Sequence, residues 1–111
     1  MNSYVSSFRE RGLVLGIRAK NEMNIVFMED GSSLSIEQEQ SKTRDNIIEQ
    51  YISRRKELGL TQCELAQRAG MARENITRFE SRRYNPSLEI MVKIAVALEM
   101  ELQIQLVEKS N

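Results

Sequence analysis

The sequence predicts a mainly α-helical bundle flanked by small β elements, α+β overall. Three observations lead there. Thr61 to Leu88 reads as two short amphipathic helices joined by a tight turn at Gly70. Apolar residues recur at helical spacing on both sides of that unit, whereas period-two alternation is confined to about residues 12 to 36 and 101 to 107. The chain therefore divides into a β-rich appendage and linker at 1–43, a helical domain at 44–100, and a strand with a short tail at 101–111.

Met1 to Arg11 is polar with isolated Tyr4, Val5 and Phe8, and reads as a short helix or a frayed end. Leu13-Val14-Leu15 with Ile17, and then Asn24 to Met28, are β-rich runs separated by a turn at Lys20-Asn21-Glu22. Asp30-Gly31 supplies a second turn before the alternating Ser33 to Ile36, so a small β-meander is expected over 12–36. Glu37 to Asp45 carries no apolar residue and reads as a linker or an exposed first turn. Ile47, Ile48, Tyr51, Ile52, Arg55 and Leu58 place a first helix from about Arg44 to Leu58, closed by Gly59.

Thr61 and Glu64 have the spacing of a capping box, which sets the start of the second helix, and Gly70 stops it. The pattern restarts with Met71, Ile76 and Phe79, giving a third helix over about Ala72 to Ser81. Pro86 breaks the chain, Ser87 is a plausible cap, and Leu88, Met91, Ile94, Ala95 and Leu98 should face inward from a fourth helix. Glu101 to Val107 alternates, so Leu102, Ile104 and Leu106 should share one face of a strand. A lone strand cannot satisfy its own backbone, so either the meander or a second copy of the chain must accept it.

At 111 residues the chain suits a single small domain with an appendage. It has neither a long apolar run nor a signal-peptide layout, so a cytoplasmic location away from membranes is expected. With one cysteine, Cys63, and no histidine, it lacks the residues for a disulfide, an ordinary zinc site or a His-assisted nucleophile. No metal, cofactor or enzymatic activity is expected. The zero net charge conceals an uneven distribution: residues 51–86 hold eight Lys/Arg against four Asp/Glu, while 1–50 hold six against eight and 87–111 two against four. The basic excess coincides with the paired short helices, as a phosphate-binding face would require.

Arg55, Gly59-Leu60-Thr61-Gln62, Glu64-Leu65-Ala66, Gly70, Ile76, Glu80 and Asn85-Pro86-Ser87-Leu88 together resemble the helix-turn-helix of the Cro and phage-repressor class, the XRE family. The resemblance spans about residues 46 to 100 and implies that 44–100 is a DNA-binding domain. Arg54 departs from it, standing where the family more often has an apolar residue. The ending, helices followed by a strand, also resembles HigA-type and HipB-type antitoxins. By resemblance, Ala72, Arg73, Glu74, Asn75, Thr77 and Arg78 are the base-reading residues, on a helix entering the major groove. Their chemistry suits that task, since a guanidinium donates two bonds to guanine and a carboxylate accepts from cytosine N4.

Thr61 and Gln62 at one helix start, with Arg82, Arg83, Tyr84 and Asn85 in the loop after the reading helix, are the expected phosphate contacts. Arg55 and Glu80 match an inter-helix ion pair of related repressors, which makes them structural. Met71 and Met91 read as core, and Cys63 as a small packed or surface residue. The expected function is a sequence-specific DNA-binding transcriptional regulator, a repressor acting on double-stranded DNA as a homodimer. Its finer version is the antitoxin of a pair, with a protein toxin as partner. The rival is a protein-binding adaptor on the same helices without DNA binding.

Overall fold

The structure, a computed structural model, describes residues 24–109. Its elements are β1 (Ile25–Phe27), β2 (Ser33–Ser35), α1 (Ile36–Glu57), α2 (Gln62–Ala69), α3 (Arg73–Glu80) and α4 (Leu88–Ala97). The expected features of Met1 to Glu22, including the first strand of the meander, lie outside the described residues. Two compact units divide the chain, 1–43 and 44–111.

In the first unit, β1 and β2 form an antiparallel pair with Val26 opposite Leu34. The turn between them works because Gly31 takes a φ of 92°, open only to a residue without Cβ at low cost. Asp30 holds it further, accepting from the Ser32 amide at 2.9 Å and from the Ser32 hydroxyl at 2.6 Å. Those two bonds hold the Asp30 carboxyl below its ordinary range.

α1 starts at Ile36, about eight residues before the expected Arg44, so Glu37 to Asp45 is helix and not linker. Apolar periodicity could not reveal this, because these turns have no apolar stripe. Glu, Gln and Lys are good helix formers, and Glu37 and Glu39 complement the helix dipole in the first turn. The Ser35 hydroxyl accepts from the Gln38 amide at 3.4 Å, and Ser35-Ile36-Glu37-Gln38 is itself a capping-box spelling.

In the second unit the local signals hold. Gly59 ends α1 with a φ of 71° and Gly70 ends α2 with a φ of 64°. The Thr61 hydroxyl accepts from the Glu64 amide at 3.0 Å while the Thr61 amide donates to Glu64 Oε1 at 3.0 Å. This reciprocal box also lowers the Glu64 carboxyl, chiefly through the Thr61 backbone bond. Ser87 caps α4, accepting from the Ile90 amide at 3.1 Å.

The core joins Ile48 and Tyr51 of α1, Leu65 and Ala66 of α2, Ile76 and Phe79 of α3, and Ile94, Ala95 and Leu98 at the end of α4. Tyr51 meets Phe79 edge to face, with ring centroids 5.0 Å apart, and its hydroxyl donates to the Met91 carbonyl at 2.8 Å. Burial pushes the Tyr51 phenol upward. Met71 and Met91 pack against this cluster, as expected.

Two expectations change. Leu88 is 56% exposed instead of facing inward, because the core takes α4 side chains only from Ile90 onward. Glu101 to Lys109 forms neither helix nor strand. The alternation is present, but among the described residues the only strand pairing is that of β1 with β2. Only Leu102 packs on the core; Ile104, Leu106 and Val107 are exposed. Arg54, the departure from the family pattern, has an explanation in the folded chain: its Nε donates to the Leu98 carbonyl at 3.1 Å, satisfying an acceptor that α4 leaves open at its end.

Candidate nucleic-acid interface

α3 is held by two side chains. Ile76 and Phe79 are buried, whereas Ala72, Arg73, Glu74, Asn75, Thr77 and Arg78 are all exposed, so every expected base-reading residue lies on the solvent side of α3 or at its N-cap. The helix is short, and its orientation comes from a polar network at its far end as well as from the core.

That network runs through Glu80. Its carboxylate accepts from Arg55 Nε at 2.7 Å, Arg55 Nη2 at 3.0 Å and Gln62 Nε2 at 2.9 Å. Arg55 donates again to the Leu60 carbonyl at 2.8 Å, and the Thr77 hydroxyl donates to Gln62 Oε1 at 3.0 Å. A carboxylate only accepts, so the amide nitrogen of Gln62 must face Glu80 and its oxygen Thr77. One N–H of Gln62 remains for an outside acceptor. Gln62 thus joins α2 to α3 as well as standing at the expected phosphate position, a tie 18 residues apart in sequence with no local signal.

Thr61 is partly committed: its amide and its hydroxyl lone pair serve the capping box, leaving only the hydroxyl proton to donate. Arg55, Thr61, Gln62, Cys63 and Arg73 line one open depression, and Arg73, Glu74 and Thr77 line another. Arg73 therefore stands between the start of α2 and the exposed face of α3.

The loop after α3 is also ordered by specific contacts. The Arg78 guanidinium lies over the Tyr84 ring, 4.3 Å from its centroid, linking an expected base-reading position to an expected phosphate position. Asn85 Oδ1 accepts from Arg44 Nη1 at 3.0 Å, and Arg82 forms an ion pair with Glu49. Arg44 and Glu49 on α1 were not expected to touch this site; they lie 41 and 33 residues from their partners. Arg73 and Arg83, by contrast, have no side-chain partner among the described residues and are exposed.

A family model described as Helix-turn-helix matches residues 52–105, covering α2, α3, α4 and the end of α1. A transcriptional regulator of the HTH type from Methanothermobacter thermautotrophicus is 55% identical over 47 residues, which is 42% of this chain and 68% of that one. The chain belongs to the helix-turn-helix family. Two HTH-type regulators from Archaeoglobus fulgidus are 49% identical over 41 residues and 41% identical over 49, covering 59% and 69% of their own lengths. A solved structure, a toxin-antitoxin module from Streptococcus pneumoniae, superposes with a TM-score of 0.55 at 25% identity, covering 84% of this chain and 90% of that one.

For this helix-turn-helix regulator, the matched segment contains every expected DNA-contacting residue. Among the described residues, no group of three or more His, Cys, Asp or Glu is placed to hold a metal, and no helix is long and apolar enough to cross a membrane.

Proposed function

We propose that this helix-turn-helix regulator is a cytoplasmic repressor that binds a two-fold operator as a homodimer, with 44–100 as its DNA-binding domain and 101–111 as part of the dimer contact. The observation that carries the reading is α3: Ile76 and Phe79 anchor it, and the chemically varied face from Ala72 to Arg78 is left to solvent. Ala72, Arg73, Glu74, Asn75, Thr77 and Arg78 read bases; Thr61, Gln62, Arg82, Arg83, Tyr84 and Asn85 meet phosphates. Two copies place their reading helices in major grooves about 10 base pairs apart.

Two features support a second copy as partner. Leu88, Val92 and Val96 follow one another every four residues along α4 and are 56%, 42% and 65% exposed, with Met100 beyond them at 51%. The segment 101–107 has strand alternation and lacks a strand neighbour among the described residues. An antiparallel pair centred on Ile104 would set Leu102 of each copy against Leu106 of the other and satisfy both backbones. The finer reading, an antitoxin that also binds a protein toxin, rests on the likeness to the toxin-antitoxin module. Copurification with the product of a neighbouring reading frame tests it; a neighbour that does not bind excludes that neighbour as the toxin.

The arginines separate the two kinds of DNA contact. Arg73 and Arg78 are five residues apart, about 140° around the helix, so both reach the groove only if α3 is inclined and their long side chains span the offset. Arg73→Ala or Arg78→Ala should cost about 1–3 kcal/mol on a selected operator and relax preference at particular base pairs. Arg82→Ala and Arg83→Ala should weaken all sequences alike and lower the salt slope by up to about one. Binding of the four variants to operator and random duplex across a salt series decides. Altered base preference in Arg82→Ala, with only a uniform loss in Arg73→Ala, would remove α3 from the groove. Absence of any salt-sensitive shift at low salt would favour a protein-binding adaptor.

A further inference from the structure

We infer that Glu49 is an internal competitor of DNA phosphate: its carboxylate occupies the Arg82 guanidinium in the free protein and must be displaced before Arg82 can serve the backbone. This rests on the proposed DNA-binding role of the loop after α3. Arg82 takes a left-handed φ of 64° in the loop after α3. Its side-chain contact is the ion pair with Glu49, whose side chain is 60% exposed while that of Arg82 is 34% exposed. A pair this open contributes little to folding. Its position is what matters.

The surrounding groups make Glu49 stand out. Arg83 is exposed beside Arg82, Arg78 lies over Tyr84, and Arg44 reaches Asn85, so the loop and its supports are basic. Glu49 places one anionic group on that basic cluster, in ion-pair contact with its only left-handed arginine. A phosphate oxygen offers the guanidinium the same acceptor chemistry as a carboxylate oxygen. Exchange of one for the other frees Glu49, whose charge then faces the duplex backbone. The competition weakens binding to every sequence, and it also lowers the salt slope, because the freed carboxylate recruits a cation as Arg82 releases one.

The test uses full-length protein and a random-sequence duplex, comparing wild type, Glu49→Gln, Arg82→Ala and the double variant across a salt series. Glu49→Gln should bind about two- to fivefold tighter, the range set by loss of one exposed ion pair, with a slope steeper by up to about one. In the Arg82→Ala background, Glu49→Gln should change neither quantity beyond a small general charge effect. The gain cannot come from misfolding, which would lower affinity. Weaker or unchanged binding by Glu49→Gln, or a full gain that persists without Arg82, overturns the inference while leaving DNA binding itself intact. Failure of wild type and Glu49→Gln alike to bind duplex at low salt overturns both.

Discussion

Glu80→Ala should destabilise the helical unit by about 3 kcal/mol or more, among the largest effects expected of any single polar substitution here. The Glu80 side chain is 8% exposed and its Arg55 partner 12%, so the pair is largely withdrawn from water. Removing the carboxylate strands three N–H donors at once, two on Arg55 and one on Gln62. Each unsatisfied buried donor carries its own desolvation cost. Arg55 keeps only the Leu60 carbonyl, and Gln62 loses the bond that orients its amide toward Thr77.

Glu80→Gln should fall between wild type and Ala, since it preserves shape and one acceptor but removes the charge. Equilibrium urea unfolding measures the loss, with an unchanged m-value showing that the native state itself was weakened. A change below about 0.5 kcal/mol would mean that the network is solvated and contributes little. Operator affinity should drop as well, because the same bonds fix Gln62 and Thr77 at the proposed DNA face.

Ile104→Glu should convert a dimer to monomers at micromolar concentration and weaken binding to a two-half-site duplex on the order of a hundredfold, with little change on a single half-site. Ile104 is 69% exposed and Leu106 is 99% exposed, so neither supports the fold of one copy. The substitution sets two like charges opposite each other at the centre of the proposed strand pair, a directly destabilising arrangement. Truncation after Met100 is a harsher test, since it also removes Leu102 from the core. Unchanged sedimentation of Ile104→Glu and the truncated chain would eliminate 101–107 as the dimer contact. Dimers that survive in both but dissociate in Val92→Glu would assign the contact to the exposed side of α4.

Much of the helical unit was legible because its boundaries depend on bonds closed within a few residues. Thr61 with Glu64, Ser87 with the Ile90 amide, and the left-handed Gly59 and Gly70 each express a choice that the neighbouring backbone makes alone. The buried face of α3 followed from periodicity for the same reason, since Ile76 and Phe79 are one turn apart. Resemblance supplied the Arg55 to Glu80 pair, which links positions 25 residues apart. The early start of α1 was also local, written in Ser35 and Gln38, but a reading led by apolar periodicity passes over a helix whose first turns are polar.

Other features depend on which surfaces the folded chain brings together. Leu88 fits the apolar pattern of α4, yet its side chain stays exposed while Ile90 and Met91 in the same turn pack on the core. Arg54 looks misplaced in sequence until the Leu98 carbonyl, 44 residues later, arrives beside it. The same holds for Arg44 with Asn85 and Glu49 with Arg82, charges that read only as solvated α1 surface until α1 lies against the loop after α3. Caps and turns are settled by backbone atoms that covalent connectivity already holds close. The identity of a long side chain's partner is settled by packing, because many acceptors are chemically equivalent and only the assembled core determines which one comes within 3 Å.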